Sequence, residues 1–87
     1  MTPEQLEEIW AEFSVVKSVA AYAIAGAMGD GYTHGYRGTW KGQCVELHLS
    51  HSFIHIEHAL GMEPGPKRTQ EIEHALCRLA MALCQQS

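Results

Sequence analysis

Residues 44–60 read CVELHLSHSFIHIEHAL, and this stretch of the 87-residue chain decides the predicted fold. A cysteine and four histidines recur in it at alternating spacings of four and three residues: Cys44, His48, His51, His55 and His58. On an α-helix these spacings place all of these side chains on one face, turn over turn. The periodicity therefore predicts a helix from about Gln43 to Leu60.

The histidine face lies between two apolar flanks, in the arc of the helix that is expected to be buried or interfacial. One flank comprises Val45, Leu49, Phe53, Ile56 and Leu60, and the other comprises Leu47 and Ile54. Because an unpaired buried polar group is costly, each imidazole in this arc needs a partner. That partner is water, a metal ion, a bound ligand or the polar groups of another helix, and the sequence leaves these alternatives open.

Histidines three and four residues apart are also spaced to share one metal ion. The candidate metal ligands are His51, His55 and His58. A divalent metal (Mn, Zn, Fe or Mg) is therefore a candidate cofactor, and imidazole ligands favour the first three of these ions. A polar ligand pocket and a histidine-lined seam between subunits are the competing interpretations of the same face.

Helix signals also occur on both sides of this stretch. Residues 2–5, Thr-Pro-Glu-Gln, form an expected capping box with proline at the first helical position. Apolar residues follow at helical spacing until Gly26 and Gly29, which are expected to end this first helix. Gly61 is expected to end the second helix, and Pro66 to begin a third.

The whole chain, residues 1–87, is therefore predicted to be a single all-α domain built as a three-helix unit. A domain of this size buries only about 60% of the surface of its unfolded chain, so assembly as a homo-oligomer is expected. A net charge of −4, with six lysines and arginines in total, argues against a surface that binds a DNA or RNA polymer.

Cysteine content and hydropathy predict where the protein resides. Three cysteines, an odd number without the spacing of a disulfide framework, indicate a reducing cytoplasm. The longest apolar run, Val19–Met28, is shorter than the ~20 residues that span a bilayer, so no membrane association is expected. The sequence thus predicts cytoplasmic localisation.

Residues 29–43, GDGYTHGYRGTWKGQ, are predicted to form a loop between the first two helices. Aromatic and basic side chains alternate with glycines in it: Tyr32, His34, Tyr36, Arg37, Trp40 and Lys41. Aromatic rings stack on bases, arginine and lysine pair with phosphate, and glycine lets the backbone approach a ligand. This combination predicts a purine-nucleotide site. The competing interpretation is a connector whose aromatic rings tuck beneath the loop.

The third helix adds one more histidine to the candidate site. His74 lies at helical spacing from Cys77, Met81 and Cys84, which are themselves typical of a helix core. The complete set of predicted ligand-binding residues is Tyr32, His34, Tyr36, Arg37, Trp40, Lys41, His48, His51, His55 and His74. No motif of a catalytic nucleophile occurs, so no catalytic residue is predicted.

Five short motifs follow one another between about residues 23 and 83: Gly26-Ala27, Thr33-His34-Gly35 with Thr39-Trp40, Ser50-His51, Leu60-Gly61-Met62-Glu63 and Ile72-Glu73-His74-Ala75-Leu76. In this order and spacing the chain resembles the dATP/dGTP diphosphohydrolase N-terminal domain family of phages and bacteria. The resemblance implies an all-α oligomer that handles purine deoxynucleotides, with His51 and His74 as its polar positions. Thr33, Thr39 and Ser50 stand where that family has lysine, asparagine and arginine.

Three functions of different classes follow from these observations. The first is a small phage-type protein of the host cytoplasm that binds, and so sequesters, a purine nucleotide or a nucleotide-derived signal such as a cyclic nucleotide. The second is a metal-dependent nucleoside triphosphate diphosphohydrolase acting on purine (deoxy)nucleotides, with the metal held by histidines. The third is a protein-interaction module that uses the histidine face as a helix–helix seam.

Overall fold

The computed structural model describes residues 1–86. Helix α1 spans Pro3–Thr33, a short 3₁₀ helix spans Thr39–Gly42, α2 spans Val45–Leu60 and α3 spans Pro66–Gln86. The described residues contain no β-strand. The prediction of an all-α fold with three helices is confirmed.

The local signals at the helix starts act as predicted. The hydroxyl of Thr2 accepts from the backbone N–H of Gln5 (3.2 Å), and the Gln5 side chain accepts from the backbone N–H of Thr2 (2.8 Å). This capping box satisfies two of the N–H groups that a helix start leaves without partners. Proline occupies the first position of both α1 and α3, at Pro3 and Pro66.

The predicted end of α1 is wrong. The helix continues through Gly26 and Gly29 to Thr33, where the backbone N–H of His34 donates to the carbonyl of Asp30 (3.2 Å). A glycine inside a helix costs only about 1 kcal/mol relative to alanine. Packing of α1 against α3 offsets that cost.

The predicted loop of residues 29–43 is consequently shorter and partly helical. Residues 29–33 belong to α1, and Thr39–Gly42 form the 3₁₀ helix. Gly35 and Gly38 have φ angles of +86° and +64°, a region in which glycine carries no steric penalty. The connection between α1 and α2 is therefore a folded segment with two glycine-dependent turns.

Helix α3 is the central element of the fold. It packs against α2, against α1 and against the 3₁₀ helix, whereas α1 and α2 do not pack against each other within residues 1–86. A buried hydrogen bond joins α2 to α3, because the Ser52 hydroxyl donates to the carbonyl of Ala75 at 2.7 Å. The side chains of α3 are thus placed between those of the other two helices.

The core of the single chain is small. Its buried apolar residues are Ala23, Ala59, Ala75, Cys77 and Ala82. The radius of gyration is 15.0 Å, compared with about 12 Å expected for a compact domain of this length. The accessible surface is 6658 Å², compared with about 5,100 Å² for a folded monomer of this mass. The chain therefore leaves more surface in solvent than a compact monomer does.

Large apolar side chains account for much of this excess surface. On α1, the first half of the apolar stripe is exposed: Leu6, Ile9, Trp10, Phe13 and Val16. On α2, four of the five residues in the predicted apolar flank are exposed as well: Leu49, Phe53, Ile56 and Leu60. The buried side of α2 instead carries His48, Ser52 and Ala59.

Helix α1 has the length and composition of a membrane-crossing helix. The run Val19–Met28 taken alone is too short for this. Its 31 residues extend well beyond that run on both sides. One such helix is weak evidence, because core helices of soluble proteins and N-terminal signal sequences share these properties. The N-terminal half of α1 carries the exposed apolar stripe.

Candidate functional site

A cavity of about 800 Å³ lies where the C-terminal end of α1, the connection to α2, and the facing sides of α2 and α3 meet. Its size falls within the range of about 300–1,000 Å³ typical of small-molecule sites. All three helices contribute to its lining, so the cavity depends on the tertiary packing around α3.

Most of the residues predicted to bind a ligand come together around this cavity. Those that line it are Tyr32, His34, Tyr36, Arg37, Trp40, His51, His55 and His74. Lys41 and His48 are not part of the lining. The structure thus brings residues from the predicted loop, the histidine face and α3 to one place.

Aromatic rings and an arginine form the wall contributed by α1 and the connection. Tyr32, Tyr36 and Trp40 all line the cavity. The guanidinium carbon of Arg37 lies 4.5 Å from the ring centre of Tyr32, a cation–π distance. The Lys41 ammonium lies 6.0 Å from the ring centre of Trp40, outside the lining.

His48 is fully buried and outside the cavity lining, so its role is structural and the prediction that it binds a ligand is not supported. Its Nε2 lies 3.0 Å from the carbonyl oxygen of Trp40, and its Nδ1 lies 3.1 Å from Nη1 of Arg78. A carbonyl only accepts and a guanidinium only donates, so Nε2 donates to the Trp40 carbonyl and Nδ1 accepts from Arg78. Both ring nitrogens are thereby used within the fold.

Arg78 is a cavity residue that the sequence analysis missed. Its Nη1 donates to Oε1 of Gln43 (2.6 Å) as well as to His48, which holds the guanidinium on the cavity wall. The sequence offered one signal for its role, because Arg78 is a charged residue between the apolar residues Cys77 and Leu79. Arg37 and Arg78 give the lining two guanidinium charges against the one carboxylate of Asp30, within a chain of net charge −4.

A glutamine on α3 anchors the 3₁₀ helix. The Gln85 amide nitrogen lies within hydrogen-bond distance of three carbonyl oxygens, those of Trp40 (3.2 Å), Lys41 (2.5 Å) and Gln43 (2.9 Å). Because these carbonyls sit at the end of the connection, the contact fixes the backbone that carries Trp40 into the cavity.

Asp30 and His74 pair across the cavity, linking α1 to α3. Nε2 of His74 lies 3.3 Å from Oδ2 of Asp30. Hydrogen bonds from His74 and, secondarily, from Gln70 hold the pKa of the Asp30 carboxyl below its usual range. The sequence analysis included His74 and missed Asp30, whose partner is 44 residues away in the chain.

His51 faces the cavity with a depressed pKa. Burial is the main cause of the lowering, and the positive charge of Arg78 adds to it. Both effects disfavour the protonated ring. His51 is therefore held as a neutral imidazole, which offers one N–H donor and one acceptor to a ligand.

The set of candidate metal ligands differs from the predicted set in one member. His55, His58 and Glu71 offer ligand atoms that all lie within 4.8 Å of one another, and His51 is not in this group. The His55 Nδ1 is 2.5 Å from Oε2 of Glu71, and this hydrogen bond is the main cause that lowers the pKa of Glu71. Glu71, from α3, is the residue that helix periodicity within α2 could not supply.

Comparisons of the chain with protein-family models, with curated proteins and with solved structures give no match. The resemblance to the dATP/dGTP diphosphohydrolase N-terminal domain family therefore stays a prediction from short motifs.

Proposed function

We propose that the cavity binds a purine nucleotide or a nucleotide-derived signal such as a cyclic nucleotide. The observation that carries the proposal is the lining itself, in which three aromatic rings share one cavity with two arginines. Aromatic rings stack on bases, and arginine pairs with phosphate through several N–H donors. A ligand that combines a flat ring with an anionic group satisfies both halves of the lining.

Each part of such a ligand has a matching group. The base stacks against Tyr36 and Trp40, and the phosphate meets the guanidinium groups of Arg37 and Arg78. Arg37 already lies against the Tyr32 ring, and a stacked arginine is well placed to bind phosphate because its guanidinium is only weakly hydrated. The neutral ring of His51 adds a donor and an acceptor that can discriminate between bases.

Hydrolysis of a purine nucleoside triphosphate is the second candidate function. The group of His55, His58 and Glu71 favours it, because His55 belongs both to that group and to the cavity lining. A metal bound there would supply an activated water beside the phosphates. We rank binding first because stacking and anion pairing use lining residues that are in place without a metal.

Ultrafiltration with a panel of nucleotides tests the proposal. The untagged protein is mixed with ATP, dATP, GTP, dGTP and cyclic dinucleotides, and both the filtrate and the heat-released fraction are chromatographed. We expect one purine nucleotide to be depleted from the filtrate and recovered intact on heating. Recovery of a mono- or diphosphate instead supports the hydrolase. If every nucleotide stays in the filtrate, the proposal is wrong.

Two substitutions of basic residues between α1 and α2 test whether the ligand binds in the cavity. Arg37→Gln removes a cavity cation, and we expect it to weaken binding by roughly 10- to 150-fold, since a charge-assisted contact contributes roughly 1.5–3 kcal/mol. Lys41→Gln removes a cation of the same segment that is outside the lining, so its affinity should equal that of the parent. Equal loss in both variants would indicate general electrostatic attraction instead of this site.

We also infer that a second copy of the chain covers the exposed stripe of α1. The stripe continues directly into the part of α1 that packs on α3, where Ala20, Ala23 and Ile24 are half-buried or buried. The excess surface of roughly 1,500 Å² over a compact monomer exceeds the ~800 Å² that one partner buries in a standard interface. A homo-oligomer thus supplies the apolar burial that one chain lacks.

The charges of α1 favour an antiparallel arrangement of two copies. Glutamates occupy positions 4, 7, 8 and 12, and Lys17 follows one to two turns later. In a parallel pair the glutamates of both copies would lie side by side and repel. In an antiparallel pair Lys17 of each copy approaches the acidic end of the other, which is favourable.

Sequestration in the cytoplasm is the role that fits a small protein binding an intact nucleotide. This role, and a phage origin, rest on the motif resemblance and on the proposed ligand. The recovery of unchanged nucleotide in the ultrafiltration experiment is the result that supports sequestration over turnover.

A further inference from the structure

We propose that His55, His58 and Glu71 form a binding site for one divalent transition-metal ion, with zinc as the best-suited probe. The inference concerns the edge of the cavity and does not depend on which ligand the cavity takes. It departs from the sequence prediction by replacing His51 with a carboxylate from α3.

The geometry of the three side chains is the first argument. His55 and His58 are three residues apart on α2 and so project from the same face. Each imidazole presents Nδ1 to a different oxygen of Glu71, at 2.5 Å from Oε2 for His55 and 3.5 Å from Oε1 for His58. One carboxylate therefore holds two imidazole nitrogens toward a common point.

The chemistry of the donor set is the second argument. A carboxylate only accepts, so each Nδ1 that faces an oxygen of Glu71 donates its proton there. A cation placed among the three groups replaces those protons, and its charge is partly neutralised by Glu71. Two imidazoles and one carboxylate bind zinc and other first-row transition metals, whereas magnesium and calcium prefer sites made entirely of oxygen ligands.

Access to the site is the third argument. The side chain of His58 is 55% exposed, and those of His55 and Glu71 are 24% and 22% exposed, so an ion can enter without unfolding the helices. Three protein ligands leave coordination positions open for water or for another ligand. His55 also lines the cavity, which places these open positions at its edge.

The surrounding charges also make His51 a poorer cation ligand than Glu71. The positive charge of Arg78 acts on His51 and disfavours a second cation beside it. His55 has its closest charged neighbour in Glu71 instead. Its ring also lies 5.3 Å from that of His74, which is itself paired with Asp30. Glu71, and not His51, therefore completes the set of ligands.

Calorimetric titration of zinc into untagged, chelator-treated protein tests the site. The titration uses a Cys44→Ser/Cys84→Ser background, because both thiols are exposed and thiolate is a strong zinc ligand that would give a competing signal. No nucleotide is present, so this test and the ultrafiltration test fail or succeed independently. We expect one saturable equivalent per chain and a rise in Tm at excess zinc. The absence of a saturable equivalent overturns the proposal.

Ligand variants then assign the site. His58→Gln and Glu71→Gln should each weaken zinc affinity by about tenfold or more, while circular dichroism shows unchanged helix content. His34→Gln changes an exposed histidine that lies outside the group, and its affinity should equal that of the parent. His58 is itself exposed, so its variant is informative even where Glu71→Gln perturbs folding. Full affinity in His58→Gln overturns the assignment.

Discussion

The carbonyl oxygen of Trp40 accepts a hydrogen bond from Nε2 of His48 at 3.0 Å, and His48 is fully buried. This bond ties the 3₁₀ helix to α2. Arg78 binds the other nitrogen of the same ring, which adds α3 to the junction. Since Trp40 and Arg78 both line the cavity, one histidine that no ligand can reach sets the position of two groups that a ligand would meet.

Replacing His48 should therefore destabilise the protein and the cavity wall together. His48→Leu removes both hydrogen bonds and leaves the half-buried guanidinium of Arg78 with Gln43 as its remaining partner in this contact. We expect the free energy of unfolding to fall by about 1–3 kcal/mol, measured by urea denaturation. His34→Leu also removes a hydrogen bond, that of Nδ1 to the Asp30 carbonyl (2.7 Å), but at an exposed position where water replaces it, so stability should change by only about 0.5 kcal/mol. An equal effect of the two substitutions would contradict a structural role for His48.

A charge placed on the α1 stripe should disrupt the oligomer. Phe13→Glu puts a carboxylate into the proposed interface, and burying it there without a partner is costly. We expect a shift from oligomer to monomer, measured by size-exclusion chromatography with light scattering. Val15→Glu introduces the same charge at an exposed position on the opposite side of α1 and should leave the oligomer intact. A parent protein that is monomeric at high concentration would refute the assembly.

The three cysteines should differ in reactivity. Cys44 and Cys84 are exposed, whereas Cys77 is buried, and burial raises the pKa of the Cys77 thiol. Because the thiolate is the nucleophile, a raised pKa and poor access both slow alkylation. Timed iodoacetamide labelling with peptide mass spectrometry should show rapid modification of the first two and slow modification of Cys77. Labelling of all three at one rate would mean that α3 does not pack as described.

The pair of Asp30 and His74 should make stability depend on acid pH. The pKa of Asp30 is lowered in the folded chain, mainly by the hydrogen bond from His74. A carboxyl with a lowered pKa stabilises the fold above its unfolded pKa of about 3.9, and this contribution is lost as the pH falls through the folded pKa. The stability difference between the parent and Asp30→Asn should therefore be present at pH 5 and vanish in strong acid.

Denaturation of both proteins across this pH range measures the effect. Glu63→Gln, which neutralises an exposed carboxylate in the turn between α2 and α3, serves as the matched control. A difference between the parent and Asp30→Asn that persists unchanged into strong acid would show that the Asp30 charge is not its source.

Local patterns determined which segments are helical. The capping box at Thr2, the periodicity of residues 44–60 and Pro66 at the start of α3 act through neighbours within one or two turns. Sequence was therefore sufficient to predict three helices and two of their starts. It was not sufficient for the end of α1, because Gly26 and Gly29 interrupt a helix only where no packing compensates for them.

Tertiary structure decided how the histidine face is used. Periodicity placed His48, His51, His55 and His58 on one face, and that much follows from helix geometry alone. The histidines of this face have different partners, and these partners come from α3. Arg78, 30 residues away in the chain, contacts His48, and Glu71, 16 residues away, contacts His55. Pairings across such distances depend on how the helices dock. Helix periodicity was therefore enough to place the histidines on one face. The packing around α3 then decides which histidine is buried, which faces the cavity and which contacts a carboxylate.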